Sequence, residues 1–367
     1  MKKFKATTYL AVSLSAILII SSSPSFGGEN NSQSSEKSQQ SSNNQSNDKS
    51  DSPELSSTYD SKYWGTPKRD ISNKTDQQEY DRAQFAIPGI EVAATEVFAT
   101  FPGRNAVTLA PMGSGDLIDH GGAVLNEIHI YPIFWGPTTA GFSASYKSSI
   151  TNFFTAIQCG AGTPTLTCNG HSDAVKEYFR TKNKVSPIIK FSGVYTDTTN
   201  PPTSSPSTAS IVAEAAKVVK ASGGTLDPMG LYLVFTNNYP TRVNFCAWHS
   251  AGSYKPTSTS AATWFTVAYM PFVGTSAGCS SGNIPRPVGR PTFKTSQSVD
   301  SVINVTTHEL YETMTDSLLN NRYAWYDSAG YENGDKCAWN YGSTINGYRV
   351  QSEYLNSTQS CPDLTSN

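Results

Sequence analysis

The chain has 367 residues, of which 15% are charged, and its formal net charge at pH 7 is −2. This length is sufficient for one or two globular domains. The near-neutral charge and the lack of Lys/Arg clusters argue against nucleic acid and against anionic membrane surfaces as partners. The function must therefore be inferred from individual segments of the chain.

The first 27 residues have the pattern of a signal peptide. Residues 1–5 are basic, Tyr9–Ile20 are apolar, and residues 21–27 are mostly small and polar. The apolar run is too short to span a bilayer comfortably, and no later segment approaches the required length. We therefore expect a secreted, extracellular protein without a membrane anchor, and we expect it to be a monomer.

Two further segments precede the main domain. Residues 28–58 consist mainly of Ser, Gln, Asn and charged residues, a composition typical of a disordered tether. Residues 59–120 contain scattered apolar residues without a clear period. They are interpreted as an N-terminal arm or pro-segment, or as a surface-binding extension.

Residues 121–367 show alternating strand and helix patterns. The predicted strands are 124–134, 186–195, 230–236 and 262–272, and the predicted helices are 143–157, 172–180, 208–221 and 301–316. The apolar segment Gly230–Thr236 is expected at the centre of a sheet. Ala262–Phe272 contains a proline and is expected nearer the edge. The pattern predicts an α/β (α+β) domain with a mixed sheet backed by helices. An edge strand followed by the last helix is also the order found in zincin-type metallohydrolases.

The six cysteines all lie in the last two thirds of the chain. An even number of cysteines in an exported protein indicates disulfides. A four-cysteine zinc site is the alternative, but the sequence contains no C-x-x-C pair. Sequential pairing is expected to clip the C-terminal region, because each bond would close a local loop: Cys159 with Cys168, Cys246 with Cys279, and Cys337 with Cys361.

The segment Ser301–Asp316 reads SVINVTTHELYETMTD. Helical spacing places Val302, Ile303, Leu310 and Met314 on an apolar face, and it places His308, Glu312 and Asp316 on another. In the H-E-x-x-H motif two His ligands bind zinc and the Glu is the general base. Here the pattern is H-E-x-x-E, which predicts His308 and Glu312 as metal ligands and Glu309 as the base. The alternative is an amphipathic helix with a solvated acidic face.

Four residues are candidates for a third ligand. Glu332 follows Glu312 by twenty positions, the gap found in thermolysin-like enzymes, and Asp335 belongs to the same acidic turn. Asp316 lies one helical turn beyond Glu312 and could ligate the metal or orient a ligand. His249 would supply an imidazole, which suits zinc better than a third carboxylate.

The identity of the metal stays open at this point. Zn²⁺ held by one His and two Glu is formally neutral, so it would lower the pKa of a bound water less than a His-rich site would. The alternative is Ca²⁺, bound for structure by hard oxygen ligands. Its ligands would be Glu312, Asp316, Glu332 and Asp335.

Several motifs resemble a known family. They are GGAVLNEIHIYPIFWG at 121–136, FCAWHSAGSY at 245–254, the Val273-Gly274 pair before Cys279, and the closing Cys361. Over residues 121–361 the chain resembles the phosphate-induced protein 1 family, whose best-known members are the plant EXORDIUM proteins. The HELYETMTD run resembles the version in microbial relatives. The resemblance implies secretion and a role at a cell wall or surface.

Two functional hypotheses follow from the sequence. The first is a secreted metal-dependent hydrolase that acts on peptides. The second is a non-catalytic protein that binds an extracellular surface or cell wall and has a structural metal site. In the second case aromatic residues could form a glycan-stacking face, although ordinary packing is the alternative. They are Trp325, Tyr326, Tyr331, Trp339, Tyr341 and Tyr348.

Overall fold

The computed structural model describes most of the chain after residue 114. The described residues are 90–92, 113, 115–137, 141–181, 183–240, 245–255, 257, 259, 263–275, 279, 295–317, 323–338, 340–341 and 343–365. The predicted signal peptide (1–27), the predicted tether (28–58) and most of the 59–120 segment lie outside them. None of the helices in the described residues has the length and apolar character that crossing a membrane requires.

Eleven strands and five α-helices are found in these residues. The strands are β1 (Ile90–Val92), β2 (Ile118–Asp119), β3 (Glu127–Trp135), β4 (Ile188–Phe191), β5 (Tyr195–Asp197), β6 (Gly230–Thr236), β7 (Trp248–Tyr254), β8 (Thr263–Met270), β9 (Trp325–Tyr326), β10 (Ser343–Ile345) and β11 (Tyr348–Val350). The helices are α1 (Ala144–Ile157), α2 (Gly170–Ala174), α3 (Thr208–Ala221), α4 (Gln297–Thr315) and α5 (Asn333–Lys336). Two 3₁₀ turns cover Val175–Tyr178 and Val273–Thr275.

The main sheet has seven strands in the order β1-β7-β8-β6-β3-β4, and β5 also pairs with β3. Strands β4, β5 and β6 run parallel to β3, and β8 runs parallel to β6. Strand β7 is antiparallel to both β8 and β1. The predicted mixed sheet is therefore confirmed.

Helices cover both faces of this sheet. Helix α3 packs on one face, and helices α1 and α4 pack on the other. In β6, Leu231 and Leu233 contact the α1/α4 layer, and Tyr232 and Val234 contact the α3 layer. This strand is buried along its whole length, as its continuous apolar sequence predicts. The α+β class predicted from the sequence is confirmed.

The strand that precedes the motif helix is not at the edge of the sheet. The predicted strand Ala262–Phe272 corresponds to β8, which lies between β6 and β7. Pro271 follows the last residue of β8, so it removes no ladder hydrogen bond. The edge prediction was wrong for this reason. Strand β7 was not predicted, because its sequence WHSAGSY is rich in small and polar residues and shows no apolar alternation.

The predicted sequential disulfides are confirmed, and no cysteine is left free. This pairing excludes the alternative of a four-cysteine zinc site. Two of the bonds lie beside segments that contribute to the candidate metal centre. Cys246 is two residues before β7, and Cys337 directly follows α5. Each bond therefore restrains one of these elements from its end.

Candidate metal centre

The motif helix α4 is buried on all sides. Its predicted apolar face lies in the core as expected. The face that carries His308, Glu309 and Glu312 is also buried, with a fractional exposure of 0% for each residue. The alternative of a solvated acidic face is therefore wrong, because other elements cover that face.

Helix α5 and strand β7 cover it. Strand β7 contributes His249, and the turn that forms α5 contributes Asp335, whose backbone N–H donates to Glu312 Oε1 over 2.9 Å. Gly334 allows this close approach. A Cβ atom at Gly334 would lie 2.9 Å from His308 Nδ1 and 3.0 Å from Glu312 Oε1. A side chain at this position would displace the two residues that the motif predicts as ligands.

The candidate ligands form two groups that share Glu312. In each group, one ligand atom per residue lies within 4.8 Å of the others. The first group is His249, Glu312 and Glu332, and the second is His308, Glu312 and Asp335. The structure therefore brings three of the four candidate third ligands to Glu312. Glu332 joins His249 rather than His308, so the thermolysin-like spacing does not correspond to a thermolysin-like trio.

The two carboxylate oxygens of Glu312 face different imidazoles. Oε1 lies 3.1 Å from His308 Nε2, and Oε2 lies 3.7 Å from His249 Nδ1. A second carboxylate approaches each ring. Asp335 Oδ1 is 3.6 Å from His308 Nε2, and Glu332 Oε1 is 3.8 Å from His249 Nε2. Both carboxylates near His308 face its Nε2, whereas His249 has Glu312 beside Nδ1 and Glu332 beside Nε2.

The hydrogen bonds of His249 define its tautomer. Nε2 lies 3.2 Å from the backbone oxygen of Asp316, and because a carbonyl only accepts, Nε2 donates. Burial lowers the pKa of His249 to about 3, so the ring is neutral and Nδ1 carries a lone pair. Nδ1 is only 3.1 Å from Glu309 Oε2. Two acceptors at this distance require a proton or a metal ion between them.

Asp316 lies outside both groups. It ends helix α4 with φ −145° and ψ 73°, and its Oδ1 accepts from the N–H of Ala324 over 2.8 Å. Its backbone oxygen instead orients His249. This geometry is consistent with the orienting role considered for Asp316 in the sequence, since metal-bound His residues commonly donate their other N–H to a carbonyl or carboxylate.

Burial dominates the electrostatics of the centre. It raises the pKa of Glu312 to about 7 and raises the pKa of Glu309 and Glu332 well above the ordinary value. Charge on a buried group is unfavourable because the surroundings replace little of its hydration. Burial also lowers the pKa of His308, but the charge of Glu312 and the hydrogen bond to Asp335 outweigh it and raise that pKa.

The carboxylates of the centre have few partners. Within the described ranges, no Lys or Arg forms an ion pair with any of the four carboxylates that surround the two His rings. Five of their buried oxygens also accept no hydrogen bond. They are Glu309 Oε1, Glu312 Oε2, Asp335 Oδ1 and both oxygens of Glu332. Glu332 has approximate capping-box geometry at the start of α5, but neither of its oxygens completes the bond.

The donor set bears on which ion would fit. Each group offers one imidazole nitrogen and two carboxylates, a combination that suits Zn²⁺ and related transition metals. The all-oxygen set considered for Ca²⁺ is not assembled as one group, because Asp316 is engaged elsewhere. Imidazole nitrogen is not a typical ligand of Ca²⁺.

Sequence reasoning missed two polar residues beside the centre. Gln351 Nε2 lies 3.0 Å from His308 Nδ1 and donates to the Gly334 carbonyl over 2.8 Å. Glu353 accepts from Asn333 Nδ2 over 3.2 Å and is fully buried. The signal was present as a polar residue at every second position, 349, 351 and 353, continuing the alternation of strand β11.

Comparison with known proteins adds one finding. No curated protein and no solved structure matches the chain. The three disulfides are typical of proteins from oxidising compartments, such as extracellular ones. The family model described as the phosphate-induced protein 1 conserved region matches residues 117–359, a span that includes both ligand groups. Because the match covers more than half of the chain, the protein belongs to the phosphate-induced protein 1 family.

Proposed function

We propose that this protein is a secreted metal-dependent hydrolase that acts on peptides. One observation carries the proposal. Glu309 is fully buried beside the two ligand groups, and its Oε1 accepts no hydrogen bond. A carboxylate in this position can take a proton from a water molecule in the centre. Secretion is supported by the signal-peptide pattern of residues 1–27 and by the three disulfides.

In this proposal each residue has a defined task. His308 and Glu312 bind the metal from consecutive turns of α4, and Asp335 completes their group. A bound metal would supply a more acidic water and would polarise the scissile carbonyl. Glu309 accepts the proton. Gln351 contacts Nδ1 of His308, the ring nitrogen on the opposite side from Glu312.

The first test compares three variants of the full chain in metal content and in hydrolysis of a peptide library. Glu309→Gln should keep the metal and lose about 100-fold or more in activity, because only the general base is removed. His308→Ala should lose both metal and activity. Glu214→Gln, a buried Glu on α3 far from the motif, is the matched control and should keep both.

Loss of the metal to the same extent in Glu309→Gln and His308→Ala would contradict the assignment of Glu309 as the base. A metal-loaded wild-type chain that cleaves no peptide in the library would remove the hydrolase proposal.

The burial of the centre favours a second function. His308, Glu309 and Glu312 have no exposed surface, so a peptide could reach them only if part of the chain moved. This favours a structural metal site in a non-catalytic protein, for which we propose binding to a wall or surface glycan. Tyr341 and Tyr348 are buried in the core, so any stacking face has to use partly exposed residues such as Trp325 and Tyr326.

Pull-down of the full chain by insoluble polysaccharides separates the two functions. A non-catalytic binder should be retained equally with and without chelator, and Trp325→Ala together with Tyr326→Ala should weaken retention. If these substitutions leave retention unchanged, the glycan-stacking proposal fails.

A further inference from the structure

We propose that the centre binds two divalent transition-metal ions and that Glu312 bridges them. This inference rests on the premise of the proposed function that the centre binds metal, and it adds a second ion and a second set of ligands. One ion would lie in the group His249, Glu312 and Glu332, and the other in the group His308, Glu312 and Asp335.

The orientation of Glu312 is the first argument. Its Oε1 is 3.1 Å from His308 Nε2, and its Oε2 is 3.7 Å from His249 Nδ1. A carboxylate that serves one ion would direct its oxygens to one position. Here the two oxygens are directed to two imidazoles on different elements, α4 and β7, as in a bridging carboxylate.

The turn at α5 supplies the other carboxylate of each group. Glu332 precedes the helix and Asp335 is its third residue, and the backbone N–H of Glu332 donates to Asp335 Oδ2 over 3.3 Å. Asp335 Oδ1 is directed to His308, and Glu332 Oε1 is directed to His249. The disulfide from Cys337 restrains this turn at its end. The turn therefore offers one carboxylate to each ion.

Glu332 provides independent support for the first position. Its fractional exposure is 2%, and neither carboxylate oxygen accepts a hydrogen bond. A buried carboxylate without a hydrogen bond is strongly unfavourable. Because Glu332 shares a group with His249 and Glu312, in which one ligand atom per residue lies within 4.8 Å of the others, the missing partner belongs on the His249 side of Glu312. An ion held only by His308, Glu312 and Asp335 would leave Glu332 unsatisfied.

The charge of the carboxylates, when they are ionised, is also better balanced by two ions than by one. Glu309, Glu312, Glu332 and Asp335 together carry four negative charges when ionised. One divalent ion would leave an excess of two negative charges in a buried site without a Lys or Arg partner among the described residues. Two divalent ions balance the four carboxylates. Buried charges that remain uncompensated are strongly destabilising.

The experiment measures bound metal in the full chain. The protein is stripped with chelator, re-equilibrated with Zn²⁺, separated from free ion by gel filtration and analysed by elemental mass spectrometry. We expect two equivalents in the wild type and one each in His249→Ala and His308→Ala. Glu312→Ala should lose most of both. His129→Ala is the matched control, since this His also contacts two carboxylates but lies outside the centre, and it should keep two.

One equivalent in the wild type, abolished by His308→Ala and unaffected by His249→Ala, would overturn the second ion and leave the proposed function intact. A complete absence of bound metal would overturn both. Two equivalents without peptide hydrolysis would support the pair of ions and reject the hydrolase, so the two failures are distinguishable.

A measurement on the wild type alone tests the bridge between the two ions even if the variants do not fold. Two Mn²⁺ ions bridged by a carboxylate are magnetically coupled, so the EPR spectrum of the fully loaded chain should differ from twice the spectrum at half loading. A simple doubling of the isolated-ion signal would contradict the bridge.

Discussion

Helices α3 and α4 lie on opposite faces of the same sheet and differ in the partners of their buried carboxyl groups. Helix α3 buries one carboxyl group, Glu214, and places Lys217 one turn later, where its ammonium contacts both Glu214 and Asp197. Helix α4 buries His308, Glu309 and Glu312 and contains no Lys or Arg. Lys217 supplies a cation to the first cluster, whereas none of the described Lys or Arg residues pairs with the carboxylates of the second.

The difference separates a structural ion pair from a candidate ligand site. A buried carboxylate is tolerated when a cation or hydrogen-bond donors satisfy it. At α3 the chain provides that cation at a spacing of three residues, a common helical arrangement. At α4 the nearest partners are two imidazoles, and five carboxylate oxygens of the centre accept no hydrogen bond, whereas at α3 only Glu214 Oε1 among the described carboxylate oxygens of that cluster lacks one. At α4 an ion bound from solution would supply the positive charge that Lys217 supplies at α3.

The largest expected effect is the removal of metal from the α4 centre. A ligand present at about 1,000 times its Kd stabilises the folded state by about 4 kcal/mol, which corresponds to a Tm shift of roughly 10 °C for a domain of this size. We therefore expect chelator to lower the Tm of the full chain by roughly 10 °C. Scanning calorimetry before and after chelation, and after Zn²⁺ is restored, measures the shift.

Gly334→Ala provides the matched test of the same effect. Its Cβ would press on His308 and Glu312, so this variant should respond much less to chelator than the wild type. If chelator leaves the Tm of the wild type unchanged, the α4 cluster is stable without an ion and the contrast with α3 disappears.

A smaller effect is expected when the cation of α3 is removed. Lys217→Met keeps most of the side-chain volume but removes the ammonium that contacts Asp197 and Glu214. We expect a loss of about 1–3 kcal/mol in the free energy of unfolding, the usual cost of leaving a buried polar group without a partner. Urea denaturation measures it. Lys220→Met is the control on the same helix, because Lys220 is exposed and its ammonium lies over the ring of Tyr254. Equal losses in both variants would contradict the role of Lys217.

The elements that depend on local pattern were predictable. The bounds of α3 and β6 are the predicted ones, because an amphipathic repeat ended by glycines and a continuous apolar run are local signals. The predicted strand 186–195 is instead two strands, β4 and β5, separated around Gly193. Strand β7 carried no apolar alternation, so its place beside β8 could not be inferred from its sequence.

The centre was predictable only in part for a related reason. Helical spacing placed His308 and Glu312 together because they lie on one helix. The approach of His249 depends on β7 joining the sheet beside β8, a long-range pairing with no local signal. The sequence also could not show that the acidic face of α4 is covered, since that cover comes from α5 and from residues after β11. The partition of ligands into two groups therefore required the three-dimensional structure.

The smallest expected effect tests the α3 cluster by pH. Burial raises the pKa of Glu214 from 4.5 to about 8. Between these values the unfolded chain releases the proton and the folded chain keeps it, so this group's contribution to stability is lost as pH rises toward 8. Glu214→Gln cannot release a proton. We therefore expect the free energy of unfolding of the variant, relative to the wild type, to increase by about 1 kcal/mol between pH 5 and pH 8. The effect is limited because Lys217 is partly exposed.

Urea denaturation of both chains at the two pH values measures this difference. The pH-dependent contribution of the α4 centre cancels because both chains contain that centre. A difference that does not change with pH would show that Glu214 is already ionised beside Lys217, and α3 would then hold a permanent ion pair rather than a protonated carboxyl group.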